Sequence, residues 1–177
     1  MPKKFIISVG HLEKRKNFLN LIKAINILKK NNINIKLIIV GQISDQFKII
    51  NDELERLNLN SYVKIFSNLN DYELKCFYRL AELYVYPSIY EGFGIPMLEC
   101  MALNLPMVLS RKEIFMEITK GKYQYFDPHD PLSIANKINF VVNNVSMKKK
   151  MISYGQKRLK VFDQNYQAKK LINSIIS

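Results

Sequence analysis

Short apolar runs alternate with amphipathic stretches along most of this chain, and that alternation limits what it can fold into. The runs are continuously apolar, which is typical of strands buried on both faces of a parallel sheet. Strand–helix alternation favours right-handed crossovers with helices on both faces. The sequence therefore predicts an α/β fold with a doubly wound, mostly parallel, Rossmann-like sheet. The predicted strands are 5–9, 35–41, 62–66, 83–87 and 106–110, with a weaker one at 123–126.

The helical segments are recognised by their apolar stripes. One stripe at helical spacing runs from Phe18 to Leu28 and ends at Asn31 and Asn32. After residue 130 the chain reads as helix alone, over about 131–144, 146–160 and 164–176. With 177 residues, we expect a single domain over 1–177, with a core at about 5–144 and C-terminal helices at about 146–176.

Capping residues predict where three of the helices begin. Ser44 is expected to cap the helix that follows it. Asn70, with Glu73 three residues later, is typical of a capping box. Asp130 followed by Pro131 indicates a third helix start.

Cysteine content and hydropathy indicate an intracellular chain. Cys76 and Cys100 are too few for a disulfide framework, and we expect both to be buried, inert thiols in a reducing compartment. No apolar run approaches the length of about 20 residues that spans a bilayer. The expected location is the cytoplasm.

The net charge of +12 leaves three interpretations open. The basic residues near the C-terminal end can form an ordinary solvated helix face. They can instead attract an anionic membrane surface, which would place the protein at the inner face of the membrane. Nucleic acid is disfavoured, because the chain has no zinc-finger spacing and no recognisable RNA-binding aromatic motif. The cluster comprises Lys148, Lys149, Lys150, Lys157, Arg158, Lys160, Lys169 and Lys170.

The stretch 84–99 carries the most specific chemistry. A predicted strand runs into Glu91 and two glycines, and the chain then enters a helix with Glu99 eight residues after Glu91. Gly92 and Gly94 allow the backbone to approach a ligand closely. The start of a helix offers unpaired N–H groups and a positive dipole end to an anion. Because two carboxylates flank that anion site and can accept hydrogen bonds from hydroxyls, the combination fits a nucleotide-sugar.

Each carboxylate also has a structural interpretation. Glu99 is surrounded in sequence by apolar residues, so it either accepts hydrogen bonds from a ribose diol or pairs with a Lys or Arg of another helix. Glu91 either accepts from sugar hydroxyls or is an exposed turn residue.

A basic loop follows the first predicted strand. Lys14, Arg15 and Lys16 lie at the carboxyl end of that strand, where ligands bind in open α/β sheets. A fixed cation there would stabilise the charge that develops on a departing diphosphate, although a charge run can also be merely solvated. His11 is expected near the same anion site, and His129 is interpreted as a loop residue. Neither has partners at metal-ligand spacing, so no metal site is expected.

The segment from Glu91 to Glu99 resembles the paired-glutamate motif of the retaining nucleotide-sugar glycosyltransferases of family 4, the group 1 glycosyltransferases. The loop 10–17 is similar to the phosphate-binding loop of that family, and the resemblance covers about 5–168. It implies the C-terminal, donor-binding half of a two-domain GT-B enzyme. It also implies that a hexose is transferred from a nucleoside-diphosphate sugar to a glycan or a lipid-linked acceptor.

The resemblance implies roles for individual residues. Glu99 would hold the ribose hydroxyls, Glu91 would contact the donor sugar, and Lys16 would bind the diphosphate, which makes Glu91 and Lys16 the implied catalytic pair. The segment 66–69 would face the base. The resemblance implies no metal or cofactor, since such enzymes usually need none. It also implies that the departing diphosphate assists deprotonation of the acceptor on the same face. The other implied donor-binding residues are Gly10, His11, Arg15, Gly92, Phe93, Gly94 and Ile95.

The chain departs from the family pattern at several positions. His11 stands where Arg is usual, so Arg15 is the candidate substitute. Asn104 replaces a usual Gly, which is tolerable because Asn adopts the left-handed conformation of helix ends. The residues 111–113 replace an expected glycine-rich loop.

The acceptor-binding half of the family is missing from this sequence. The chain is then a piece of a longer protein, one part of a split enzyme, or a relic, and we expect it to bind donor but to transfer little sugar alone. The alternative is a non-catalytic nucleotide-sugar-binding subunit that needs a separate acceptor-domain partner. An oxidoreductase is disfavoured, because the first strand is followed by one glycine rather than Gly-x-Gly-x-x-Gly.

Overall fold

The computed structural model of this chain describes residues 5–162, with six parallel strands at its centre. The strands are β1 Phe5–Val9, β2 Lys36–Val40, β3 Val63–Phe66, β4 Leu83–Tyr86, β5 Met107–Ser110 and β6 Gln124–Phe126. Each begins and ends within one residue of its prediction. The strands β1, β2, β4 and β5 are almost entirely buried, as continuously apolar runs of a parallel sheet should be, whereas the edge strands β3 and β6 are buried only in part. The doubly wound α/β fold is confirmed, and every neighbouring pair of strands is parallel.

Seven helices connect and cover the strands within the described residues. They are α1 Phe18–Lys30, α2 Phe47–Arg56, α3 Asp71–Leu80, α4 Ile95–Ala102, α5 Glu113–Thr119, α6 Pro131–Val142 and α7 Val145–Leu159. A short 3-10 helix at Lys14–Lys16 precedes α1. The two predicted helices after residue 130 are confirmed as α6 and α7, and the third, at 164–176, lies outside the described residues.

The order of the strands reverses once, between β1 and β4. The sheet runs β3-β2-β1-β4-β5-β6, so the chain builds outward from β1 to β3 and then returns to the other side of β1. Crossover connections diverge at this point and leave a crevice at the carboxyl ends of β1 and β4. The loops that follow these two strands carry Lys16 and Glu91.

Buried helix stripes pack on the sheet and hold the loops in place. In α1 the predicted stripe is buried, and the helix ends at Asn31, with Asn32 in the left-handed conformation at φ 58°. Cys100 is buried in α4, as predicted. The same prediction is wrong for Cys76, which is only half-buried because Phe77 and Tyr78 form the buried face of α3.

Two of the three predicted helix caps are confirmed. The Asn70 side chain accepts from the Glu73 N–H, and the Glu73 carboxylate accepts from the Asn70 N–H, both at 2.9 Å. The Asp130 carboxylate accepts from the Leu132 N–H at 2.8 Å.

The Ser44 prediction is wrong. The Ser44 hydroxyl donates to Asp45 at 3.0 Å instead of accepting from a helix N–H, and α2 begins after Gln46. The neighbouring carboxylate competes for the hydroxyl that would otherwise cap the helix. None of the helices in 5–162 is long and apolar enough to cross a membrane.

Candidate functional site

A buried ion pair lies at the point where the strand order reverses. The Lys16 ammonium donates to the Glu91 carboxylate at 2.6 Å, and the two side chains are only 10% and 9% exposed. Burying opposite charges is unfavourable unless they are paired, so each residue keeps the other in place. The structure therefore brings the two residues of the implied catalytic pair together, although they lie 75 positions apart in sequence.

Local backbone geometry directs Lys16 towards Glu91. The 3-10 helix Lys14–Lys16 leaves Lys14 exposed but turns Lys16 inward. A Cβ atom added at Gly10 would lie 2.8 Å from Cε of Lys16. The glycine thus leaves the space through which the lysine side chain passes over the end of β1.

Arg15 adds a second, more exposed cation to the pair. Its guanidinium donates to the other oxygen of Glu91 at 3.3 Å and to Glu13 at 2.7 Å. Nδ1 of His11 lies 3.5 Å from Glu13, and the His11 side chain is more than half exposed. His11 is therefore at the rim of the site, while Arg15 lies closer in, against Glu91.

The two glycines of the predicted anion loop differ in environment. Gly94 precedes α4 with φ +94°, and an added Cβ there would lie 2.7 Å from Cε of Met97 and 3.3 Å from the Phe115 ring. Gly92 is exposed, and an added Cβ would meet no atom within 4 Å. Gly94 is thus required by the fold, whereas Gly92 borders open space beside Glu91.

Tyr86 forms the floor beneath the ion pair. Its ring lies 5.6 Å from the Lys16 ammonium and packs on Phe115 with the ring centroids 4.6 Å apart. Burial first, and then the charge of Glu91, raises the pKa of the Tyr86 hydroxyl well above its usual range. Among the described residues this buried hydroxyl has no partner with hydrogen-bond geometry.

Glu99 occupies a second position, between α3 and α4. Its carboxylate accepts a hydrogen bond from the Tyr78 hydroxyl at 2.8 Å. Within residues 5–162 it makes no ion pair with a Lys or Arg, which was the structural interpretation of this residue. Burial, followed by the nearby Cys100 and Glu99, raises the pKa of Tyr78, so the phenol remains a donor. A cavity of about 370 Å³ opens beside Glu99 and is also lined by Asp71 and Lys75.

Three large apolar side chains within four residues of Glu91 in the sequence are exposed. Tyr90 is 71% exposed, Phe93 43% and Ile95 63%. The Phe93 ring also contacts Phe162, with the ring centroids 5.9 Å apart. Exposed apolar residues clustered at a site are typical of surfaces that contact another molecule or domain.

Sequence reasoning missed three residues of this site. Tyr78 carries no functional signal in the sequence, and Tyr86 is only one residue of the predicted strand 83–87, because the groups that both contact come from other elements. Asn17, which follows Lys16, read only as the end of the basic loop. The preference of Asn for left-handed backbone could have marked it, since φ at Asn17 is +59°.

No group of three or more His, Cys, Asp or Glu side chains in 5–162 is arranged to hold a metal ion. The absence of a metal requirement remains a prediction.

The fold and the site together define a class of α/β domain that gathers cations, carboxylates and a glycine turn at the carboxyl ends of its central strands. The family model described as glycosyl transferases group 1 matches residues 1–158. The chain belongs to this family.

Two curated relatives show how much of a whole protein the chain represents. An O-antigen chain mannosyltransferase B of Escherichia coli is 29% identical over 132 residues, which are 74% of this chain and 35% of the relative. An uncharacterized glycosyltransferase of Methanocaldococcus jannaschii is 32% identical over 157 residues, 87% of this chain and 40% of the relative. The chain thus spans less than half the length of the curated relatives it matches.

A solved structure confirms which part of the fold is present. The C-terminal domain of a glycosyl transferase group 1 family protein from Francisella tularensis superposes with a TM-score of 0.77 at 20% identity. The match covers 92% of this chain and 87% of that domain. The predicted fold, one half of a GT-B glycosyltransferase, is therefore confirmed.

Proposed function

We propose that this chain binds the nucleoside-diphosphate sugar of a retaining glycosyltransferase that moves a hexose to a glycan or a lipid-linked acceptor. The observation that supports it best is the buried Lys16–Glu91 pair at the reversal of strand order. A diphosphate needs cations, and a sugar needs hydrogen-bond acceptors. The cations are Lys16 and Arg15, and the acceptor is the Glu91 carboxylate that both of them contact. This network lies beside the open space at Gly92.

Each group has a definite task in this proposal. An ammonium has three donors, so Lys16 can contact Glu91 and a diphosphate oxygen together. Negative charge develops on the diphosphate as the bond to the sugar breaks, and a fixed cation stabilises that state most. Glu91 then accepts from sugar hydroxyls, with the backbone of Gly92 to Ile95 beside it. We assign no metal or cofactor to this chemistry.

Glu99 is proposed to bind the ribose. The Tyr78 hydroxyl uses one carboxylate oxygen of Glu99, and the carboxylate can accept further hydrogen bonds from a diol in the adjoining cavity. The buried phenol therefore holds the carboxylate in a fixed orientation towards that cavity.

The test is a calorimetric titration with UDP, GDP, ADP and their common sugars, beginning with a mannose-bearing nucleotide because one relative is named a mannosyltransferase. We expect one nucleotide to bind selectively and Glu99→Gln to weaken it about tenfold or more, the equilibrium value of one or two hydrogen bonds. Glu117→Gln, which alters an exposed carboxylate on α5, is the matched control. Equal affinity in the wild type and Glu99→Gln would contradict the ribose assignment, and no binding would contradict the donor site.

A second domain or chain is proposed to cover the apolar surface formed by Tyr90, Phe93 and Ile95. The part of the relatives that this chain lacks would then supply the acceptor site. We expect the purified chain to bind donor but to transfer sugar slowly in a coupled assay of nucleotide release. Rapid transfer by the chain alone would contradict this, and binding with no transfer after the missing half is added would favour the non-catalytic subunit.

Contact with an anionic membrane remains a prediction. Residues 131–162 contain seven Lys or Arg and no Asp or Glu, which gives this part of the surface an unbalanced positive charge. Sedimentation with phosphatidylglycerol vesicles, compared with phosphatidylcholine vesicles, would test it.

A further inference from the structure

We infer that Asn17 is a positioning residue that holds the Lys16 side chain against the Glu91 carboxylate. Asn17 occupies the N-cap position of α1, where an Asn side chain ordinarily accepts a hydrogen bond from a helix N–H. Here it makes no capping bond, and the backbone adopts a left-handed φ of +59°. The side chain is therefore free for contacts outside its own helix.

The Asn17 amide joins loops that follow three different strands. Its Nδ2 donates to the Pro87 carbonyl at 3.0 Å, directly after β4, and to the Pro128 carbonyl at 2.7 Å, after β6. Asn17 itself follows β1. Both partners are carbonyl oxygens, which accept and cannot donate, so the amide nitrogen can face them and a carboxylate cannot replace it.

A second bond ties the other side of Lys16 to the same segment. The Ile89 N–H donates to the Arg15 carbonyl at 2.9 Å. The neighbours of Lys16 on both sides, Arg15 and Asn17, are thus hydrogen-bonded to the segment 87–89, which ends two positions before Glu91. The separation of the Lys16 ammonium and the Glu91 carboxylate is consequently set by backbone contacts as well as by their own attraction.

Asn20 provides a matched comparison within the same helix. Its Nδ2 donates to the same Pro128 carbonyl at 3.1 Å, but it makes no bond to the segment that leads to Glu91. If a hydrogen bond to the loop after β6 were enough to position Lys16, Asn20 would do so as well as Asn17. Only Asn17 also donates to the Pro87 carbonyl, at the start of the segment that leads to Glu91.

The experiment measures how accessible the Lys16 side chain is, with no nucleotide-sugar present. Trace acetylation followed by mass spectrometry gives the labelling rate of buried Lys16 relative to exposed Lys14. The variant Asn17→Gly tolerates the positive φ at this position but lacks the side-chain amide. We expect it to raise the ratio of Lys16 to Lys14 labelling about tenfold, which corresponds to the loss of one or two hydrogen bonds. Asn17→Asp should raise it at least as much, because its carboxylate would face two carbonyl oxygens.

The controls separate positioning from general loss of structure. Glu91→Gln should raise the Lys16 ratio, and Asn20→Ala should leave it unchanged, with all variants folded by circular dichroism at the labelling temperature. An unchanged ratio in both folded Asn17 variants would overturn the inference. An equal rise in Asn20→Ala would overturn it too.

Only the functional consequence of this inference rests on the proposed donor site. If the wild type binds a nucleotide, Asn17→Gly should weaken that affinity while Asn20→Ala does not, and equal affinities in the two variants would overturn the functional consequence. If no nucleotide binds the wild type, the proposed function fails, but the labelling ratio still decides the position of Lys16.

Discussion

The two glycines beside Glu91 differ in whether the fold itself requires a glycine at their position. Gly94 has a left-handed backbone and a filled neighbourhood, so the protein itself requires a glycine there. Gly92 has neither constraint, so any requirement for glycine at this position would come from a ligand. Sequence inspection cannot separate the two cases, because it shows only that both positions are glycine.

The two glycines provide a paired prediction. Gly94→Ala should lower the free energy of unfolding by about 1–3 kcal/mol, because the strained φ is joined by a close contact with Met97. Gly92→Ala should change it by less than about 0.5 kcal/mol, as exposed substitutions usually do. Urea unfolding followed by circular dichroism measures both. If both variants lost the same free energy of unfolding, a Cβ atom at position 92 would have to meet a neighbouring group, which would contradict the open space beside Gly92.

At the scale of the element, local capping signals succeed where no neighbouring group competes for them. The Asn70–Glu73 capping box forms because each side chain reaches the other's backbone within one turn. Ser44 fails because Asp45 takes its hydroxyl. The helix α3 matters for the site, since it carries the Tyr78 that orients Glu99.

The confirmed and the failed cap provide the second paired prediction. Asn70→Ala should lower the free energy of unfolding by about 0.5–2 kcal/mol, the usual value of an N-cap. Ser44→Ala should change it by less than about 0.5 kcal/mol, because the hydroxyl caps nothing. Urea midpoints compared at equal m-values test the difference. A larger loss in Ser44→Ala would mean that this hydroxyl does stabilise α2.

For the whole molecule, buried tyrosines couple stability to alkaline pH. Burial is the first cause that raises the pKa values of Tyr78, Tyr84, Tyr86 and Tyr123 above their ordinary range. In the unfolded chain a tyrosine titrates near pH ~10. Above that pH the folded state therefore keeps protons that the unfolded state loses, and stability falls as pH rises.

Alkaline unfolding is accordingly the third prediction. Below about pH 10 the buried phenols contribute their full stabilisation, and above it the free energy of unfolding should decrease steadily. Absorbance at 295 nm should show these four buried tyrosines ionising only as the far-UV signal is lost. All ten tyrosines ionising near pH ~10 with the fold intact would contradict the burial of these phenols.

The sequence by itself determined the fold class, the six strands and the segments that lie at the carboxyl ends of those strands. Continuous apolar runs such as 5–9 and 83–87 are too short for typical helices and are bounded by Gly or Pro, so the local sequence is enough to indicate buried strands. The same holds for Asp130 and Asn70, whose partners lie within three residues.

Only the tertiary structure decided which side chains act together. The partners of Lys16, Glu99 and Asn17 lie on other loops or helices, and their distances depend on how the strands are ordered and how the helices pack. The sequence identified Lys16 and Glu91 as candidates, but only the return of β4 to the side of β1 makes them a pair. Side-chain pairing is a property of packing between distant segments, whereas strands and caps follow from neighbours in the chain.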